Sequence, residues 1–261
     1  MINVQLLKSY IKHRIKAKTR HGIHSPFVYK LVDEVIYNYK QNADYKSIEQ
    51  LRASLLQDSK SITITDLGAG SHVNNNKQKQ VKQLAKNALK PASLAQLIYR
   101  LAQERKPRTI IELGTCLGLT TSYLAKAVPD ACVISIEGCP QTAQVARENL
   151  RKLSIQNAEI KTGNFDQVFP QVLSQSESVD FVFIDGNHRK QATLDYFNMC
   201  LPKINDSSLI IFDDIYWSKG MEEAWEEIKA HPAVSVTVDL FWIGLVYFRK
   251  GQVKEDFKIR F

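Results

Sequence analysis

The sequence has few of the features that would take it out of the ordinary globular classes. Its 261 residues include only four cysteines. Cys116, Cys132, Cys139 and Cys200 show neither C-x-x-C nor zinc-ligand spacing, so a disulfide framework and a cysteine metal site are excluded. Reduced thiols in a cytoplasmic protein are expected instead. Long hydrophobic runs are missing as well. The longest, residues 240–248, falls far short of the ~20 residues that a membrane span needs. No apolar region of adequate length follows the basic head of the chain, so a secretory signal is not expected. There are no repeats or low-complexity tracts, and linker-like stretches are confined to residues 71–80 and 174–178.

Acids are scarce in the first part of the chain. Residues 1–106 hold 19 Lys and Arg against 7 Asp and Glu, a net +12, whereas residues 107–261 hold 16 against 20, a net −4. The change marks a boundary near Lys106-Pro107. Three segments are expected: a helical extension over 1–60, a loop or lid with lead-in helices over 61–106, and an α/β core over 107–261. A basic appendage can meet nucleic acid, an anionic membrane or an anionic substrate, or be a solvated helical face. Its first helix carries Ile2, Leu6, Leu7, Tyr10, Ile11 and Ile15 at three- and four-residue spacing, an apolar stripe on a basic helix. Ser25-Pro26 reads as the N-cap and first residue of a second helix, running to Tyr39, with a third from about Tyr45 to Leu56.

From Thr109 the chain alternates regularly. Strands are expected at 109–113, 132–137, 158–162, 180–185, 208–213, 234–240 and 243–249, with helices between the first six. Five βα units argue for a mainly parallel sheet covered on both faces. The last two strands are too close for a crossover and must form an antiparallel hairpin. The expected fold is therefore a doubly wound, seven-stranded, mostly parallel α/β sheet with an antiparallel last strand and an N-terminal helical extension.

Residues 109–122, TIIELGTCLGLTTS, carry the most specific signal. A β-branched strand ends in Glu112, a loop carries Gly114 and Gly118, and a helix follows. Glycine lets backbone approach a ligand closely. The next strand, CVISIE, ends in Glu137, whose carboxylate can accept from both hydroxyls of a ribose. The spacing E-x-G-x-x-x-G is not the pyrophosphate fingerprint G-x-G-x-x-G, and a carboxylate at the strand tip would repel a phosphate. It suits a ligand with a ribose, an ammonium group and no phosphate, which describes S-adenosylmethionine (SAM). A second glycine stretch, DLGAGS at 66–71, is a decoy: about 25 residues on lie Lys90 and Pro91, where a strand ending in an acid would be required. It is read as a short strand and flexible loop.

In an open α/β sheet, ligands bind beyond the carboxyl ends of the strands. The later strands end in Gly163-Asn164-Phe165-Asp166, Asp185-Gly186-Asn187-His188 and Asp213-Asp214. Asp185, Asp213 and Asp214 together make an oxygen cluster of the kind that holds Mg²⁺ or another divalent cation.

The motif at 112–118 resembles the first motif of the class I SAM-dependent methyltransferases, and is most similar to the catechol- and caffeoyl-CoA-type O-methyltransferases. GNFDQVFPQVL (163–173), DFVFIDGNH (180–188) and LIIFDDIYW (209–217) resemble later motifs of that family. D-G-x-H is also similar to bacterial O-methyltransferases acting on sugars and macrolides. The resemblance spans roughly residues 90–250. It implies a SAM site at Glu112, Gly114, Thr115, Gly118, Glu137, Gly138, Asn164, Phe165 and Asp185. It also implies a metal site in which Asp185 and Asp213 match the family's two metal-binding aspartates. Asp214 stands where the family has Asn, and His188 where the family has its catalytic Lys, so Asp185 and His188 are the catalytic candidates. Ser135 and Cys139 flank Glu137 and are expected to line the adenine edge. Phe165 and Trp217 are read either as stacking groups or as core aromatics.

The function expected is methyl transfer from SAM to a small-molecule hydroxyl, assisted by a divalent metal, in a protein with room for homodimer formation. No N-P-P-Y-like motif follows the fourth strand, which argues against adenine or glutamine methylation. Two rivals stand beside this reading: an RNA methyltransferase gripping phosphates with the basic extension, and a non-catalytic SAM-binding protein.

Overall fold

The computed structural model describes residues 4–65 and 78–261. In chain order the elements are α1 (Val4–Lys16), α2 (Pro26–Leu31), α3 (Ala43–Leu55), β1 (Ser61–Thr63), β2 (Gln78–Gln80), α4 (Val81–Ala88), α5 (Ala92–Arg105), β3 (Thr109–Leu113), α6 (Leu119–Ala127), β4 (Cys132–Glu137), α7 (Pro140–Lys152), β5 (Ala158–Thr162) and α8 (Phe165–Gln175). There follow β6 (Val179–Ile184), α9 (Lys190–Cys200), β7 (Ile204–Asp213), α10 (Lys219–Ala230), β8 (Val236–Asp239), β9 (Ile243–Tyr247) and β10 (Glu255–Lys258). Tyr39–Ser176 form one compact unit, and Met1–Asn38 with Glu177–Phe261 form another.

In the first of these units, β3, β4 and β5 lie side by side and parallel, with Ile111 opposite Ile134 and Ser135 opposite Ile160. The β-branched runs account for this. Ile110, Ile111 and Val133 are essentially inaccessible to solvent, as a strand covered on both faces requires. α3 packs through Tyr45, whose ring meets Tyr99 of α5 and Tyr123 of α6. Burial pushes the Tyr99 and Tyr123 hydroxyls upward, and their hydrogen bonds to Asp44 and Glu49 push the same way. β1 is the short strand expected before the decoy loop, and it pairs antiparallel with β2, a partner not expected. DLGAGS and the loop that follows it (66–77) lie outside the described residues.

In the other unit the strand order is β10-β8-β9-β7-β6. β6 and β7 are parallel, and β9 runs antiparallel to both β7 and β8, which is the hairpin the short connection demanded. The doubly wound, mostly parallel fold is thus the one expected, with eight strands in these two sets rather than seven. The extra strand, β10, lies parallel to β8. Its sequence, EDFK, is short and charged, which suits an edge and conceals it from pattern reading.

α1 is seated by polar contacts: Ser9 donates to Glu222, and His13 Nε2 lies 3.0 Å from Asp239. The chain that leaves it pairs with the C-terminal tail, Lys18 N donating to Lys258 O and Arg260 N to Lys18 O. Ser25 occupies the N-cap of α2 with Pro26 at its first position, although the serine side chain makes no capping bond. The expected single helix to Tyr39 ends earlier, in a π-turn over Val32–Ile36 closed by Tyr37 N to Val32 O. Among the described residues no helix is long and apolar enough to cross a membrane.

Candidate active site

The glycine loop leaves β3 through three left-handed residues: Gly114 (φ 102°), Cys116 (φ 50°) and Gly118 (φ 77°). Gly118 forms the N-cap of α6, and a Cβ there would lie 3.1 Å from that of Ala146. Both its φ and its crowding therefore call for glycine. Asn149, fully buried in α7, donates to Leu117 O and fixes the loop from behind.

Glu137 projects from the end of β4, half-buried. Its Oε2 accepts from Cys116 N (2.8 Å) and its Oε1 from Cys139 N (2.9 Å). Two backbone amides on opposite sides hold the carboxylate in one orientation.

Glu112 behaves differently from a surface strand-tip acid. It is wholly buried, and its Oε2 accepts from Thr121 Oγ1 (2.5 Å) and Ser135 Oγ (2.6 Å). Thr115, also buried, shares a short hydrogen bond with Ser135. Thr115, Ser135 and Thr121 thus form a hydroxyl cluster around Glu112 that ties β3 to β4 and to the start of α6. Ser135, expected to line the adenine edge, is fully buried and is engaged by Glu112 and Thr115. Cys139 is buried too, and its thiol meets Thr63 O and Thr65 N. The one sign of this cluster in the sequence is a lone serine inside the apolar strand CVISIE.

Gly138 lies in the bend after Glu137, between β4 and α7. Asn164 caps α8, its side chain accepting from Asp166 N (2.9 Å), and Phe165 begins that helix half-buried. The capping bond accounts for the Asn164 side chain without a ligand.

In the other unit, Asp185, His188 and Asp213 each present a ligand-type atom within 4.8 Å of one another. Asp213, at the end of β7, is 2% exposed, while Asp185 and His188 are partly open. His188 Nε2 lies 3.8 Å from Asp185 Oδ1 and 3.9 Å from Asp214 Oδ2. The compact triplet is therefore Asp185, His188 and Asp213, with Asp214 beside the imidazole, rather than three aspartates with the histidine outside.

Two left-handed residues shape this cluster. Asn187 (φ 51°) turns the chain between Asp185 and His188 and donates to Tyr196 OH. Asp214 (φ 53°) turns it after β7, donating its backbone N–H to Trp242 O. Asn and Asp tolerate this backbone region best among non-glycine residues, which fits Asp at a position where an Asn was the family expectation. Trp217 follows in the same turn, its N–H bonded to Asp214 O and its side chain 38% exposed, so it is not a core aromatic.

A parallel α/β fold with an E-x-G-x-x-x-G loop, an acid fixed at the next strand end and an acid–imidazole group at later strand ends is the arrangement that the resemblance to class I methyltransferases leads one to expect. The comparisons agree. A family model described as a methyltransferase domain matches residues 111–215, from β3 through β7. A catechol O-methyltransferase of Niastella koreensis is 30% identical over 118 residues, 44% of this chain and 52% of that one. O-methyltransferase imqG of Aspergillus flavus is 32% identical over 111 residues, 40% and 44% of the two chains. The chain thus spans about half the length of these relatives. Among solved structures, an O-methyltransferase from Bacillus cereus in complex with SAH superposes with TM-score 0.57 at 20% identity, covering 81% of this chain and 93% of that one. The O-methyltransferase TomG from Streptomyces achromogenes in complex with SAM gives 0.56 at 19% identity, covering 85% and 95%. These superpositions show the fold, and the family model matches its central segment, residues 111–215.

Proposed function

We propose that this protein is a SAM-dependent O-methyltransferase acting on a small-molecule hydroxyl with the help of a divalent cation. The observation that carries the proposal is the convergence of Asp185, His188 and Asp213, set in a chain whose matched segment is a methyltransferase domain. SAM would supply a methyl group already activated on a sulfonium. Glu137, oriented by its two amides, takes the ribose, and Gly114 and Gly118 leave the loop backbone open to the cofactor. Gly138, Asn164 and Phe165 border that site, whereas Glu112 and Thr115 support it from within.

The donor set of the acid cluster suits a divalent cation: two carboxylates and one imidazole, with Asp214 at hand. A bound cation would lower the pKa of an acceptor hydroxyl. Asp185 and Asp213 would hold the cation, and His188 Nε2 would take the acceptor proton as the general base. The convergence of an imidazole nitrogen of His188 with carboxylate oxygens of Asp185 and Asp213 favours a second reading, in which His188 is itself a ligand. That set inclines toward Mn²⁺ or another transition ion over Mg²⁺.

The test is methyl transfer from labelled SAM to a panel of small-molecule hydroxyl acceptors, with and without a chelator. Transfer that stops with chelator and returns with Mg²⁺ or Mn²⁺ supports the proposal. Transfer to RNA alone, or SAM binding with no transfer to any acceptor class, overturns it.

A further inference from the structure

α1 has two faces, and only one is used. Ser9 and His13 turn inward to Glu222 and Asp239, and Leu6 and Tyr10 are half-buried beside them. The stripe read from the sequence therefore divides. Leu7, Ile11 and Ile15, together with Val4, point away from the unit that carries the helix, and they are 47%, 52%, 78% and 62% exposed respectively. Their spacing of three, four and four residues sets them in one line along the helix. Single exposed apolar residues need no explanation, but four aligned along one helix form a patch that does.

One flank of this line is a row of lysines. Lys8, Lys12 and Lys16 each follow an apolar residue of the stripe and form a parallel ridge, and Arg14 lies on the other side. The helix contains no acid. Trp242, 43% exposed, sits near its Tyr10, with ring centroids 6.3 Å apart. An aliphatic line flanked by lysines, with an indole at its margin, matches the interface between water and an anionic bilayer. A second copy of the chain fits poorly, because two such helices would bring like charges together. The centres of protein interfaces are also depleted in lysine.

We propose that the outward face of α1 docks this protein on anionic lipid bilayers. The helix lies in the interface plane, with Val4, Leu7, Ile11 and Ile15 among the acyl chains and the lysines among the headgroups. The binding does not depend on the methyltransferase reading.

The test is co-sedimentation of the full chain with vesicles of phosphatidylcholine alone and of phosphatidylcholine with phosphatidylserine, at low and high salt. Binding is expected only to the anionic vesicles and should weaken as salt rises. The paired substitution Ile11→Gln and Ile15→Gln, at exposed positions, should leave the melting temperature unchanged and lower binding at least tenfold. Each of Lys8→Gln, Lys12→Gln and Lys16→Gln should lower it about fivefold. Equal failure to bind both vesicle types overturns the proposal. So does anionic binding that the isoleucine pair does not affect, since charge elsewhere would then explain it. A concentration-dependent dimer that the isoleucine pair dissociates, without lipid binding, overturns it in favour of self-association.

Discussion

His13 on the first helix lies 3.0 Å from Asp239 on β8, 226 residues further along the chain, and each side chain is 2% exposed. Asp239 also accepts from Tyr216 OH (2.6 Å) and Phe241 N (2.9 Å), and Lys258 Nζ is 3.1 Å away. Burial alone would raise its pKa. The hydrogen bond to His13, the charge of Lys258 and the hydrogen bond from Tyr216 outweigh burial and bring it from 3.8 to about 2.

A carboxylate depressed in this way stabilises the fold above its unfolded pKa and loses that contribution as pH falls through the folded value. The stabilisation from Asp239 is thus complete above pH ~4 and is lost toward pH 2, with a size of about 2 kcal/mol. Denaturant titrations of wild type and Asp239→Asn across this range should show the wild-type advantage shrinking with acidity. A gap that is constant with pH would mean that packing, not charge, supplies it.

Glu137→Ala should weaken SAM binding at least tenfold, equivalent to ~1.4 kcal/mol, because a charged acceptor for the ribose is lost. Gly68→Ala, in the decoy stretch, should leave SAM affinity within a few-fold. Calorimetry checks both, and a large loss at Gly68 with none at Glu137 would show that the other glycine loop holds the cofactor.

For the acid cluster, Asp185→Ala and Asp213→Ala should reduce turnover by at least a hundredfold while SAM affinity changes much less. His188 is resolved by pH. If it is the base, His188→Ala recovers part of its activity at high pH, where the acceptor ionises unaided, and its metal affinity is normal. If it is a ligand, metal affinity falls and alkaline pH restores little. A variant with normal turnover at every pH would remove His188 from the chemistry.

Gly244 of β9 lies under the ring of Trp225, and a Cβ added there would come within 2.6 Å of it. Trp225 is 1% exposed and cannot swing out without opening the core. Gly244→Ala should therefore destabilise by about 1–3 kcal/mol, as overpacking does, with SAM affinity unchanged in the folded fraction. Thermal unfolding measures it, and a wild-type melting temperature would show that Trp225 has room to move.

The sequence by itself determined the order and kind of the core elements. β3, β4 and β5 begin and end where the β-branched runs and their bounding glycines and acids placed them. The local chemistry is strong there, since a buried strand needs a continuous apolar run and a loop in left-handed backbone needs glycine. The candidate strand-end residues were legible for the same reason, as the ends of those runs. The elements that escaped are the ones whose stability is non-local. β10 is four largely charged residues held by backbone pairing to β8, and β2 is held the same way to β1. Tertiary structure alone decided which way side chains face. Periodicity drew one apolar stripe on α1, but contacts of Ser9 and His13 with partners 213 and 226 residues away buried a polar face and left Leu7, Ile11 and Ile15 outside. It likewise turned Glu112 inward to Thr121 and Ser135 and left Glu137 at the open strand end, though both are strand-terminal glutamates in sequence. A carboxylate goes where its hydrogen bonds can be satisfied, and those partners come together only when the chain has folded.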